Sequence, residues 1–475
     1  MKSNPCRLFF IIVFSIFALF YSCEEDNLNF SHNGEFKLST DTLSFDTLIT
    51  TYRSTTLSFK IINPELSPLK LKNIRLGSGN DSYFRLNVDG EPCKSINDVE
   101  ILSMDSIFVF VEATFPEFSV DSVCYRLDSV IIETEKEQKN VKLLSWSQDV
   151  TFIRNHWITT SETWNSKKPY LIVDTLAVDA NQTLTIEKGT KIFFHDSAGM
   201  YVLGNVVVKG TKEEPVVFQN DRFDETAAGD NYEEMPGMWN GIFIAPSNKR
   251  SSFDHAVIKN SIVGISAGNP LDQIWPKLSI TNSLFKNQSF SGLFSIGANI
   301  ECSNTIFSNS RSGIVLFFAG KYNFNHITIS NNYKEGRQAG SVFIQDYFSN
   351  DTETFVVGEF EKIYFGNSVI TGNYSDEINV KRYGGNDSKI NCNIEHCMVK
   401  LTTPDTLYKR ISYSDLIIDN NIKFDSVYNY LPDTCSSFID KGNLSIGQKF
   451  PFDMIGNSRI SDGFPDLGAV EFIKK

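Results

Sequence analysis

Val257-Ile258-Lys259-Asn260, Leu284-Phe285-Lys286-Asn287, Ile306-Phe307-Ser308-Asn309 and Thr328-Ile329-Ser330-Asn331 repeat one phrase, apolar residues running through a spacer into an asparagine. Three of the asparagines lead to a glycine and an apolar residue, at Gly264-Ile265, Gly292-Leu293 and Gly313-Ile314; the fourth reaches Gly340-Ser341-Val342 after an insertion. The steps between asparagines are 27, 22 and 22 residues, the length of one solenoid turn and not of a helical-hairpin repeat. Each repeat holds short runs rich in Ile, Val and Phe, broken by Asn, Ser and Gly, which is strand-and-turn chemistry without a helical period. One such turn cannot bury its own apolar face, so it must stack on its neighbours, strand upon strand at roughly 4.8 Å. Like residues then lie above like. Asn260, Asn287, Asn309 and Asn331 are expected to form a column of mutually bonded side chains, with the glycine supplying a positive φ at the bend.

The N-terminus reads as an export signal. Lys2 and Arg7 precede a 14-residue apolar run, Leu8 to Tyr21, too short to span a bilayer comfortably. It ends in Phe20-Tyr21-Ser22-Cys23, which resembles the lipobox of bacterial lipoproteins, although Phe20 and Tyr21 stand where Leu and a small residue are usual. The resemblance implies a signal peptide over 1–22 and lipid on Cys23, anchoring the chain to a membrane through its acyl groups. Glu24-Glu25-Asp26 resembles the export signal that sends some lipoproteins to the outer face of the outer membrane, and a tether then runs over 23–35. Without Lys2 and Arg7 the chain carries 42 basic against 57 acidic residues, a net charge of −15. That balance argues against nucleic acid and anionic lipid headgroups as partners.

Residues 36–148 alternate in runs such as Thr56-Leu57-Ser58-Phe59-Lys60-Ile61-Ile62 and Ile107-Phe108-Val109-Phe110-Val111, parted by turns such as Asn63-Pro64 and Asp89-Gly90. About seven short strands in this length fit an immunoglobulin-like β-sandwich, read as a spacer that lifts the solenoid and shields its first edge. Cys93 and Cys124 are its only cysteines; they either pair in an oxidising compartment or stay as thiols.

The remainder resembles right-handed parallel β-helix repeat proteins of the pectate-lyase-like kind. Thr183-Leu184-Thr185-Ile186-Glu187-Lys188-Gly189-Thr190-Lys191-Ile192 and Val206 to Phe218 match the recurring turn of that family, and Trp239-Asn240-Gly241-Ile242-Phe243 is similar to the turn that follows it. The resemblance implies a parallel β-helix over 149–430. Pro465-Asp466-Leu467-Gly468-Ala469-Val470-Glu471 resembles the closing module of such proteins, so 431–475 is expected to cap the last open edge, with Asp440, Asp466 and Glu471 holding loop backbone. The fold class is therefore all-β.

That family includes lyases and hydrolases, but the Asp-Asp and Gly-His-Gly stretches expected of a hydrolase do not occur. Asp254, His255, His326 and Arg311 lie near strand ends, and no two of them align in the repeat frame. No catalytic residue, metal site or cofactor is assigned. Cys392 and Cys397 have poor zinc spacing. Two insertions are candidates for a ligand face. Asp221 to Met238 is acidic, either a calcium loop or solvated surface. Tyr333 to Asn350 mixes charges, Lys334 and Glu335 among them, with aromatic rings, as a sugar site would. Trp239, Trp275, Arg337, Asp346 and Tyr347 are the candidate contacts. Thirteen of 31 aspartates precede Ser or Thr, in triplets such as Asp105-Ser106-Ile107 that resemble a periplasmic O-glycosylation acceptor and equally suit turns that open strands. The expected function is a surface-exposed, lipid-anchored outer-membrane protein that binds an extended polysaccharide or a surface protein without catalysis; the alternative is a polysaccharide lyase or glycoside hydrolase at the cell surface.

Overall fold

A computed structural model describes residues 30–473 apart from 33, 120–122, 227, 248, 271–273, 334–335, 338, 350–354, 386–388 and 426–429. Cys23, the signal peptide, Lys334 and Glu335 lie outside the described residues. Among those described, no helix is long and apolar enough to cross a membrane. The chain forms two compact units: the first runs to Glu117 and resumes at Cys124–Ser147, while Phe118–Val123 and everything from Gln148 belong to the second.

The first unit holds two five-stranded sheets. One orders Lys37–Leu38, Leu57–Ile62, Ser106–Ala113, Phe84–Val88 and Glu91–Cys93; the other orders Thr42–Ile49, Gln138–Gln148, Cys124–Glu133, Leu69–Leu76 and Ser95–Ile101. Alternation puts Phe59, Ile61, Val109 and Val111 of one sheet and Leu71, Ile74, Val130 and Ile132 of the other in the core. The rings of Phe45 and Phe84, one from each sheet, meet at 5.6 Å. Cys93 ends a strand of the first sheet and Cys124 begins a strand of the second, and no disulfide joins them. Of the two states the sequence admits, both cysteines are half-buried thiols. Asp105 shows the turn chemistry of its triplet: its carboxylate accepts from Ser106 N at 2.7 Å where a strand opens.

The second unit is a parallel β-helix with three faces. Thr151–Ile158, Tyr170–Val178 and Lys191–Val202 are long parallel strands, and the last of them divides: Lys191 pairs with Val217, whereas Gly199 pairs with Gly241. From this fork two stacks proceed. Face one continues through Val216–Asn220, Ala256–Lys259, Leu284–Lys286, Ile306–Ser308, Thr328–Asn331, Val369–Gly372, Met398–Val399 and Ile417–Ile418. Face two continues through Gly241–Ile244, Val263–Ala267, Ser291–Ile296, Ser312–Phe317, Val342–Gln345 and Ile378–Lys381. Face three is a ten-stranded parallel sheet from Glu162–Trp164 to Ser412–Ser414. Inside, Phe285 stacks on Phe307 and Phe324 on Phe365, each at 4.8 Å.

Lys259, Lys286, Ser308 and Ser330 are partners in successive rungs, which sets the four repeat asparagines one above another. Their chemistry differs from expectation in two respects. The positive φ at this corner is taken by Asn260, Asn287 and Asn309 themselves, at 67°, 60° and 50°, since Asn tolerates the left-handed region better than other residues with a Cβ. Gly264, Gly292 and Gly313 serve space instead: a Cβ on Gly292 would lie 2.6 Å from Phe307 Cδ1. The asparagine ladder runs up the other corner, from face three to face one. There His255, Asn282, Asn304, His326, Asn367, His396 and Asp415 all have φ between 46° and 50°. Asn304 donates to Asn282 Oδ1 at 3.1 Å, Asn282 donates to Asp254 Oδ1 at 2.9 Å, and Asn367 Nδ2 meets His326 Nε2 at 3.2 Å.

The C-terminal segment is a lateral strap rather than an end cap. Asn443 bonds Asn367 and His396, Gly468 N donates to Asn367 O, Ala469 N donates to Thr328 Oγ1, and Arg459 donates to Asn304 Oδ1. The strap thus runs back down the ladder corner, whose polar column supplies partners for its backbone. Late in the stack, the core is continued by Leu401, Leu407 and Ile411, the middle one from the short helix Pro404–Tyr408.

Candidate functional site

Three of the five expected ligand contacts are structural. Trp239 is fully buried; its ring stacks on Phe194 at 4.0 Å and its Nε1 donates to Lys259 O at 2.8 Å. Arg337 is buried against Glu377, Nη2 to Oε2 at 2.6 Å, and also donates to the carbonyls of Arg311, Asn331 and Ala339. It closes the insertion it stands in, because a guanidinium out of water needs every donor matched. Asp346 is buried beneath Arg382, which donates to it at 2.8 Å, as does Tyr383 N. Trp275 and Tyr347 remain half-buried between faces two and three, on different coils. Trp275 lies against Gly297, and Tyr347 meets Phe355 and Tyr383, each at 5.8 Å.

The acidic insertion lies over face one. Glu233 pairs with Lys259 at 3.4 Å, Glu234 with Lys286 at 2.6 Å, Asp224 with Arg222 at 2.5 Å and Asp221 with His195 at 2.7 Å. Four of its six carboxylates are therefore placed against Lys259 and Lys286 of the coils, Arg222 of the loop and the imidazole of His195. Among the described residues no three His, Cys, Asp or Glu side chains are placed to hold a metal ion.

The outward surface of face three is polar. Ser252, Ser279, Glu301, Asn323, Tyr364, Asn393 and Ser412 follow one another in register, beside a second row of Arg250, Lys277, Asn299, Lys321 and Lys362. Charges in the second row are partly matched, as in Arg250–Glu301 at 2.7 Å and Lys321–Glu361 at 2.6 Å. Where the strap crosses, Asn323, Asn325, Lys362 and Tyr364 face Ile446, Lys449 and Phe450 across a cleft of about 320 Å³. Asn325 donates to Asn323 Oδ1 at 3.1 Å, which leaves the Asn323 NH2 as donor. Tyr364 OH donates to Glu395 at 2.9 Å; burial and this carboxylate both push the phenol pKa up, so the proton stays on the ring and holds its plane. Lys362 Nζ sits 4.9 Å from the centre of that ring. Neither Lys362 nor Lys449 makes an ion pair among the described residues.

Face two contrasts with this. Tyr201, Phe243, Ser266, Phe294, Val315, Phe343 and Asn379 form one outward row, and Ile296, Phe317, Gln345 and Lys381 the next. Rings alternate between the rows: Phe294–Phe317 at 5.5 Å, Phe317–Phe343 at 5.7 Å, both edge to face.

The strap buries acids of its own, Asp453, Asp466 and Glu471. Asp466 accepts from Asp440 N and Phe472 N, and Glu471 accepts from Asp466 N and from Arg459 Nη1 at 3.1 Å. Asp466 and Glu471 thus hold loop backbone, and Asp440 is one of the residues whose backbone is held. The histidines expected to be unaligned do share a column: His255 and His326 stand on the ladder corner with Asn282 and Asn304 between them. Burial holds His326 well below the ordinary histidine value. Cys302 and Cys397 are buried thiols pushed up to about 12 by burial, and Cys392 is raised in the same way. Both outward rows escaped the sequence reading. The available signal was the parity of runs such as Ile242-Phe243-Ile244 and Val342-Phe343-Ile344, whose middle residue points out.

The chain matches no family model and no curated protein. Among solved structures it shows slight likeness to a family 123 glycoside hydrolase from Clostridium perfringens, with a TM-score of 0.18, 8% identity, 25% of this chain covered and 26% of that one. A second is the PapD-like domain 7 of human CEP192, with a TM-score of 0.17, 10% identity, 27% of this chain covered and 94% of that one. The chain spans about a quarter of the first of these structures. Likeness at these scores says nothing about its chemistry.

Proposed function

We propose that this chain is a lipid-anchored protein of the outer membrane surface, in which an immunoglobulin-like spacer precedes a pectate-lyase-like β-helix that binds an extended glycan without turning it over. The single observation that carries the glycan reading is the cleft on face three, where Lys362 and Lys449, the amides of Asn323 and Asn325, and the rings of Tyr364 and Phe450 converge on a polar sheet. Amides serve hydroxyls, a ring serves the apolar side of a sugar, and lysines without ion-pair partners serve an acidic substituent. A polar row continuing in register on both sides of the cleft supports a chain of sugars over a single one.

The test is migration of the full-length protein through gels holding neutral or uronate polysaccharides, with the gel polymer assayed for new ends. Retardation by a uronate polymer that weakens with salt and in K362A/K449A, with no unsaturated or reducing ends formed, is the expected result. Release of such ends makes the protein a lyase or hydrolase instead, and unretarded migration throughout removes the glycan. Acylation is read separately, as the mass of the mature N-terminal peptide at Cys23.

A further inference from the structure

Beyond the cleft the strap keeps to the edge of face three and carries a second ring there. From Asn443 to Phe452 it passes three rungs of the ladder corner. Asn443 N donates to Asn367 Oδ1 at 2.8 Å, the Phe450 ring meets His326 at 6.0 Å, and Asn304 Nδ2 donates to Phe452 O at 3.0 Å. Register puts Asn304, His326 and Asn367 at the ends of consecutive strands of face three. Phe450 and Phe452 are therefore anchored one rung apart, roughly 4.8 Å along the axis. The backbone at Phe452 is fixed twice, by Asn304 and by an antiparallel bridge to Ser458, yet the residue is 59% exposed. No other ring among the described residues meets it.

The floor beside the strap changes character over the same distance. Ser303 and Asn325, next to the corner, are buried, so the open groups stand one step further out. At the cleft these are Asn323 and Lys362, with Lys449 opposite. One rung on, the partner of Asn323 is Glu301, exposed and held by Arg250 at 2.7 Å. A uronate carboxylate suits the two lysines, but over Phe452 it would give up water to a phenyl ring and face a second carboxylate. A neutral sugar loses nothing there.

We propose, resting on the face-three reading, that the bound polymer alternates acidic and neutral sugars. The acidic unit lies between Lys362 and Lys449. The neutral unit lays its apolar side on Phe452 and turns its hydroxyls to Glu301 and Arg250. The chain follows the strap from the coil of Asn367 toward that of Asn304, and Phe452 selects this polymer over a plain polyuronate.

The experiment measures binding of two fluorescently labelled hexasaccharides to the full-length protein by anisotropy. One alternates glucuronate with N-acetylglucosamine, and the other is galacturonate throughout. The expected result is binding of both, the alternating chain roughly tenfold tighter through the added stacking. F452A should remove that preference at an unchanged thermal midpoint, as suits an exposed ring on a backbone that other groups hold, and F452W should keep it. Equal affinity for the two chains, tighter binding of the polyuronate, or a loss in F452A shared equally by both overturns the proposal. K362A/K449A should weaken both chains. If it does while the preference is indifferent to F452A, the proposal falls and the face-three reading stands. Binding of neither chain removes both.

Discussion

At the scale of single residues, the repeat phrase is a statement about volume as much as about hydrogen bonding. Gly292 has an ordinary φ, yet no side chain fits, because Phe307 Cδ1 would lie 2.6 Å and Gly313 O 3.0 Å from its Cβ. Both neighbours belong to the packed column and cannot yield without opening the Phe285–Phe307 stack. Gly292→Ala is expected to destabilise the β-helix by about 1–3 kcal/mol, the usual cost of overpacking. The urea midpoint checks it, and an unchanged midpoint would mean that the column is loose. The asparagines were legible as a column because stacking puts like on like. The second column, in which Asn282, Asn304 and Asn367 share the left-handed region with histidines, was not, since His255, His326 and His396 have no common flanking residues.

At the scale of elements, the strap is held through buried charge. Burial, with Asp466 adding and Arg459 opposing, pushes Glu471 up to about 8, and burial pushes Asp466 up to about 6. A carboxyl raised in the folded state favours folding while it is protonated and loses that advantage as pH rises through the raised value. His326, lowered by burial, works in the opposite sense and only below pH 6.5. Between pH 6.5 and about 9 the Glu471 contribution therefore dominates in this cluster, and the strap should loosen as pH rises. Amide hydrogen exchange is the measure: protection of Met454 and Gly468, corrected for intrinsic rate, should fall across that range relative to Ile363 inside the coils. A constant ratio would show that Glu471 is ionised throughout. The strap's sequence was readable as a closing module, but its place along the side was not, because its partners Asn304, Thr328, Asn367 and His396 are spread over four coils.

At the scale of the whole molecule, the boundary between units is not a single cut. Cys124–Glu133 and Gln138–Gln148 stand inside the second sheet of the first unit, beyond the excursion at Phe118–Val123. A fragment of residues 30–117 lacks both and is expected to stay unfolded, whereas 30–148 should give a β-type circular dichroism spectrum and a cooperative melt. A cooperative melt of the shorter piece would show that the sheet tolerates loss of two adjoining strands.

The coils themselves follow from sequence alone. A 22-residue apolar period broken by Asn and Gly cannot satisfy its backbone or bury its side chains except by parallel stacking, and the register then places Asn260, Asn287, Asn309 and Asn331 in one column. What only the tertiary structure decided is which surface each coil shows. A strand has two faces, and a one-residue change of register exchanges them, so the outward phenylalanines of face two read in sequence like the core. The same holds for position along the axis: Lys449 joins Lys362 in one cleft because the strap folds back over the ladder corner, a contact between residues far apart in the chain that no local pattern encodes.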